Sequence, residues 1–399
     1  MKTVLKIAAV LAVILMLLLA FNWQKATNLY HSVTMFDADK IVSNFVNMQK
    51  LAPTIEVVST SEPHYFESRP QELPTNFDYK GESRSVSDFL TQSQTTSLLV
   101  LHDDVISHES YHLGTNAQDR RISWSMGKSF LSAMFGIAVH EGAIISLDQQ
   151  VTDYVPELIG SGYDGATIKN VLQMSSGVGF DEDYQDFFSD INRFSRMFAL
   201  GGSFDEFAQT LKNEREPGTF LHYVSIDTHV LGMVLRKATG ESIIDYFNNR
   251  LWSKIQPEAS TYFIVDSYNE PMVLGGLNMR TTDFLKLGKL FLDNGRWKGQ
   301  QIIPEQWVKD SITPDAPHLI PGIRDSANTT LGYGYQWWIP ENSDGEFLAL
   351  GVYDQFIYVN QTARVVIVKN SANIDFMQND FESTDETIAL FRSIVKSLD

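Results

Sequence analysis

Ser123-Trp124-Ser125-Met126-Gly127-Lys128-Ser129-Phe130 is the stretch on which the reading of this chain turns. It sets a serine and a lysine three residues apart at the head of an apolar run, so Ser125 and Lys128 are expected on one face of a helix. Phe130, Leu131, Met134, Ile137, Ala138 and Val139 cover most of the helix circumference, and Gly142 follows as a stop. The pattern predicts a buried helix whose first turn opens on a cleft. A serine hydroxyl is a poor nucleophile at neutral pH, but a lysine one turn on can take its proton if burial depresses the lysine pKa. Backbone N–H groups at the helix start would face an anion formed at the serine. Ser-x-x-Lys fixes only two positions, and a capping serine beside a surface lysine also satisfies it, so the rest of the chain has to decide.

The 399 residues, 43% of them hydrophobic, are enough for a substantial core. A formal net charge of −18 and the lack of a basic run argue against a nucleic-acid partner. With no cysteine there is no thiol nucleophile, thiolate metal site or disulfide. The nine histidines are read as holding no metal, and no cofactor is expected. At the N-terminus, Lys2 and Lys6 precede an apolar run from Ile7 to Phe21, with Lys25 beyond, as in an export signal. Leu18 is large for the minus-three position of a cleavage after Ala20, which favours an uncleaved anchor over residues 4–21. The body of the chain would then be exported, periplasmic or extracytoplasmic, with the membrane as a partner through this segment.

Residues 1–24 are thus read as signal peptide or membrane anchor, 25–83 as an extension that wraps the surface, and 84–399 as the main domain. Ser97 to His102 and Val105 to His112 read as a hairpin. Strand signals then vanish until Phe347–Tyr353, Phe356–Asn360 and Arg364–Asn370, and a helix from about Thr384 to Leu398 closes the chain. The expected fold is α+β: a five-stranded antiparallel sheet flanked by helices, with a large, mainly helical insertion at about 146–330. Helices are placed at Asp227–Thr239, Ser242–Ile255, Thr282–Asp293 and Pro304–Ser311.

From Ser85 to Ser371 the chain resembles the penicillin-recognising serine hydrolases, on the side of class C β-lactamases, D,D-peptidases and related esterases and amidases. The likeness is carried by the run from Gly136 to Gly142, by Leu147-Asp148-Gln149-Gln150-Val151-Thr152-Asp153-Tyr154-Val155-Pro156 and by Ile168 to Gly177. Gly179-Phe180-Asp181-Glu182-Asp183-Tyr184 and Gly332-Tyr333-Gly334-Tyr335-Gln336-Trp337-Trp338 look like the branch of 6-aminohexanoate-dimer hydrolases. The resemblance implies a serine β-lactamase/transpeptidase-like fold and an acyl-enzyme on Ser125, with Lys128 as the base that activates it. The family's tyrosine loop is matched by Pro217 to Ser225, which makes Tyr223 the proton shuttle; Ser225 stands where many relatives carry asparagine. The third element, Lys-Thr-Gly in β-lactamases, falls at Ala349-Leu350-Gly351, with the N–H of Val352 pairing with that of Ser125 as an oxyanion hole. A register placing Tyr353 at the basic position displaces the glycine. Tyr184 is assigned to the substrate side, Tyr335, Trp337 and Trp338 are expected near the cleft, and alternation along the loop turns His222 away.

The resulting expectation is an exported serine hydrolase acting on a small amide or ester. Without a base at Ala349, β-lactamase and carboxypeptidase activity are disfavoured. The rival from another class is a non-catalytic, membrane-tethered binding module of the same fold.

Overall fold

A computed structural model of the chain describes residues 4–7, 23–323, 329–377 and 382–398. Residues 8–22, most of the expected signal or anchor, lie outside the described residues. Among the described residues no helix is long and apolar enough to cross a membrane.

The hairpin of β1 (Thr95–His102) and β2 (Val105–Tyr111) shares a sheet with β3 (Glu346–Gly351), β4 (Gln355–Asn360) and β5 (Val365–Ser371), all antiparallel. β5 closes on β1, with Val368 opposite Leu99 and Val366 opposite Leu101, so early and late segments meet at the sheet centre. The five expected strands are contiguous but are not the whole sheet. Glu67–Ser68 adds a parallel strand beyond β2, and Gly332–Tyr333 and Trp338–Ile339 add two beyond β3, making eight. Each addition is two residues long, too short for a period-two pattern to register in sequence.

Among the described residues the helices of ten residues or more are α1 (Trp23–Thr34), α2 (Gly127–His140), α3 (Asp190–Ala199), α4 (Ser225–Thr239), α5 (Thr281–Leu292) and α6 (Glu382–Ser397). Both sheet faces are covered, which is why β1 and β5 read as nearly unbroken apolar runs. Leu99, Leu101, Val366 and Val368 belong to the larger core, where Gly288 of α5 admits Val366: a Cβ at 288 would lie 2.4 Å from its Cγ1. Leu98, Val100, Ile367 and Tyr358 turn the other way and cluster with Ile388, Phe391 and Ile394 of α6.

A second, four-stranded sheet overturns the expectation of a strand-free middle. It joins Thr54–Val57, Thr261–Ile264, Leu277–Met279 and Arg121–Ile122 in that order. Its first strand comes from the extension, so that segment is hydrogen-bonded into the fold. The helix expected over Ser242–Ile255 is instead an α-turn, a π-helical stretch at Phe247–Trp252 and a 3-10 end.

Candidate active site

Ser125 is placed by the second sheet. Ser123 donates its N–H to the Leu277 carbonyl at 2.7 Å, which aims the chain into the turn. Trp124 then takes φ +42°, a left-handed conformation that costs a non-glycine residue on the order of 1–3 kcal/mol. The surroundings hold it there. Gly275 and Gly351 let backbone approach closely: a Cβ at 275 would sit 3.3 Å from the Trp124 carbonyl carbon, and one at 351 would sit 2.8 Å from the Ser123 oxygen. The outcome is a 3-10 turn, Trp124–Met126, running into α2, with Ser125 half-buried.

Lys128 lies one turn further on and is 2% exposed. Its Nζ donates to Ser125 Oγ at 3.1 Å, Ser225 Oγ at 3.2 Å and the Leu274 carbonyl at 2.9 Å. Burial lowers its pKa from 10.5 to about 8, against the pull of Glu182 and Asp227, which raise it. Asp227, in the first turn of α4, is itself buried. It accepts from Tyr163 at 3.0 Å and Ser176 at 2.9 Å, and burial pushes its carboxyl well above the usual range, which weakens it as a counter-charge.

Tyr223 stacks on Trp338 with ring centroids 5.4 Å apart, and its ring lies 5.2 Å from Lys128 Nζ. Burial and the nearby Glu182 raise its phenol pKa, while a hydrogen bond with Ser125 acts the other way, so the phenol stays protonated at neutral pH. Tyr184 donates to Glu182 Oε2 at 2.8 Å, and Glu182 Oε1 accepts the Ser225 N–H at 2.6 Å. Glu182 therefore touches both Tyr184 and Ser225, a position the sequence reading missed. The signal was present: Glu182 and Tyr184 are two apart in an extended loop, and the alternation that turned His222 away puts them on one side.

At the third element, Gly351 ends β3 and Val352 begins the turn into β4. Among the described residues neither the Ser125 nor the Val352 N–H is engaged by a backbone carbonyl outside regular elements. Ala349 is 1% exposed and opposite Ile357, so this register offers no base. Tyr353 is 7% exposed at the turn, with φ +62°. Of the expected aromatics, Trp338 meets Tyr223, but Tyr335 and Trp337 are core residues packed on Trp307 and Phe291. His222 Nε2 pairs with the Phe180 carbonyl at 3.0 Å.

His108-Glu109-Ser110-Tyr111-His112 spells the H-E-x-x-H string of zinc hydrolases, which corrects the expectation that the nine histidines show no such spacing. That chemistry needs a helix, where the two histidines share a face; here His108 lies on β2 and His112 just beyond it, each paired with Ser110 Oγ, at 3.0 and 3.1 Å. Among the described residues no group of three or more His, Asp or Glu side chains is arranged to hold a metal ion.

With this geometry in view, residues 86–389 match the Beta-lactamase family. In sequence the chain is similar to a 6-aminohexanoate-dimer hydrolase of Paenarthrobacter ureafaciens, 28% identical over 294 residues, covering 71% of this chain and 74% of that protein. In structure it is similar to a putative 6-aminohexanoate-dimer hydrolase from Bacillus anthracis, with a TM-score of 0.81, 24% identity, and coverage of 91% of this chain and 96% of that one. A penicillin binding protein from Bacillus halodurans shares the fold at a TM-score of 0.58 and 16% identity, over 76% of this chain and 99% of that one.

Proposed function

The chain belongs to the Beta-lactamase family and is a serine hydrolase, and from that premise we propose that it cleaves an amide or ester bond through an acyl-enzyme on Ser125. The observation that carries the proposal is the 3.1 Å contact between Ser125 Oγ and a buried Lys128 whose pKa is about 8. The lowered pKa lets a fraction of the molecules hold Lys128 neutral at working pH and able to take the serine proton. Ser125 Oγ attacks the carbonyl carbon, and the oxyanion is met by the N–H groups of Ser125 and Val352. Tyr223, kept protonated by burial, donates to the leaving nitrogen or oxygen and is reprotonated from Lys128. Water then attacks the acyl-serine, its proton returns through the same pair, and the acid leaves with Ser125 restored. Ser225 orients Lys128, and Tyr184 borders the substrate.

The substrate is a small amide or short-chain ester. Support comes from the similarity to a 6-aminohexanoate-dimer hydrolase and from Ala349, which leaves a substrate carboxylate without a basic partner. A charge-assisted hydrogen bond there is worth roughly 1.5–3 kcal/mol, about ten- to a hundredfold in rate. The chain is exported and held at the membrane through residues 4–21, a reading supported by the lysine-flanked apolar run.

A fluorophosphonate should label the wild type and fail on Ser125→Ala. No labelling of the wild type would favour the non-catalytic binding module. Comparing kcat/KM for a p-nitrophenyl ester, an aminohexanoate amide and nitrocefin tests the substrate class, and a preference for nitrocefin would sink it.

A further inference from the structure

Two aromatic side chains from the extension reach the turn that carries Ser125. Phe36 stacks on Tyr353, with ring centroids 4.9 Å apart and planes 15° apart, and lies 5.8 Å from the Trp124 ring. Phe45 is buried and meets both rings edge-on, 5.4 Å from Trp124 and 5.3 Å from Tyr353. The two phenylalanines also contact each other at 6.3 Å, and Asn44 Nδ2 donates to the Met35 carbonyl at 2.8 Å, which ties the loop between them.

Their partners matter by position. Trp124 is the covalent neighbour of Ser125, and Tyr353 of Val352, the two residues whose N–H groups form the oxyanion hole in the reading above. Both hold left-handed backbone, φ +42° at Trp124 and +62° at Tyr353, the latter as part of the tight turn that joins β3 to β4. The nucleophile turn and the β3–β4 turn come from distant parts of the chain. Besides the close approach of Gly351 to Ser123, the Trp124 and Tyr353 rings meet at 6.1 Å. Phe36 and Phe45 touch both rings and lie ahead of the stretch that matches the family.

We infer that Phe36 and Phe45 are positioning residues that lock the Trp124 and Tyr353 turns together and so set the spacing of the Ser125 and Val352 N–H donors. The inference rests on the oxyanion reading of those donors. A hole misplaced by a fraction of an ångström weakens transition-state binding more than substrate binding, so the effect belongs in kcat.

Active sites are first titrated with a fluorophosphonate, which removes misfolded protein from the count. In Phe36→Leu/Phe45→Leu, which keeps apolar burial but loses the rings, kcat per titrated site should fall about ten- to a hundredfold with KM within about twofold. Affinity for an alkylboronic acid, which forms a tetrahedral adduct on the serine, should fall by the same factor. Phe36→Tyr/Phe45→Leu, which keeps one of the two rings, should recover part of the loss. Phe66→Ala, in the same extension but packed on His64 and Trp297, should leave kcat unchanged. An unchanged kcat per titrated site in the double variant, or an equal loss in Phe66→Ala, would overturn the inference. Should the double variant not fold, Phe36→Leu alone decides by the same readout, since Phe36 is 37% exposed and contributes less to the core. If the wild type takes no label, the oxyanion reading fails first and the inference goes with it.

Discussion

Two buried lysines in this chain each donate to a serine, one at the head of α2 and one on β5. Lys128 reaches Ser125 Oγ at 3.1 Å and Lys369 reaches Ser371 Oγ at 2.8 Å. Burial lowers both lysines from 10.5 to about 8. Their surroundings differ. Ser125 is half-buried on a helical turn, hydrogen-bonded with a tyrosine phenol. Ser371 is 1% exposed on a central strand, its N–H directed to Gln355 Oε1 at 3.3 Å, and Lys369 lies 5.7 and 5.5 Å from the rings of Phe89 and Phe356. A depressed lysine pKa thus follows from burial alone, which a sheet face supplies as readily as a cleft. The partial exposure of Ser125 and the convergence of Lys128 and Tyr223 on its hydroxyl are what distinguish the first pair.

The largest expected effect separates the serines. Ser125→Ala should lower kcat/KM for a p-nitrophenyl ester by at least about 10⁴-fold, whereas Ser371→Ala should stay within about threefold while lowering thermal stability. A comparable loss of activity in both would erase the distinction between the pairs.

Next in size are the lysines. Lys128→Arg keeps the charge but provides no base at working pH, so turnover should drop about 10²–10⁴-fold. Lys369→Met should retain activity and hold or raise the melting temperature at pH 7, because an apolar side chain replaces a buried amine. Asp354, 4.0 Å from Lys369, keeps hydrogen bonds from Asn373 at 2.7 Å and Ser383 at 3.0 Å. Substantial activity in the arginine variant would reduce Lys128 to an electrostatic prop.

The smallest effects are in pH dependence. If neutral Lys128 is the reactive form, kcat/KM should rise with pH to a plateau above about 8, and Glu182→Gln should move that limb to lower pH by removing an anion that favours the charged lysine. Lys369→Met should leave the limb in place. For stability the sign runs the same way: both folded lysines titrate at about 8 against 10.5 when unfolded, so between these values the unfolded chain binds more protons and stability rises with pH. Denaturant titrations from pH 8 to 10 should therefore show a shallower rise in Lys369→Met than in the wild type. An equal slope would mean that Lys369 titrates normally.

Much of the sheet was legible because a run of apolar and β-branched residues bounded by turn residues is a local signal: β1 to β5 are each six or more residues long. The second sheet was not. Thr54–Val57 and Thr261–Ile264 are short, and nothing near either names the other as partner. Around Ser125 the same division holds. Ser125 and Lys128 are one helical turn apart, so their meeting could be read from spacing, and Tyr223 and Gly351 followed from resemblance. Glu182 and the phenylalanine pair were not read, because their importance lies in what they touch.

By itself, then, the sequence determined the helix that carries Ser125 and Lys128, the five long strands and the acidic, cysteine-free composition, since spacing, periodicity and count are properties of neighbouring residues. Tertiary structure alone decided that Lys128 is buried against three acceptors, that Ala349 faces the core, that Phe36 and Phe45 reach the Ser125 turn, and that burial lowers the pKa of Lys369 too without the same surroundings. Burial and convergence depend on chain segments that meet only after folding, and no local pattern encodes which of two buried lysines will face a partly exposed serine.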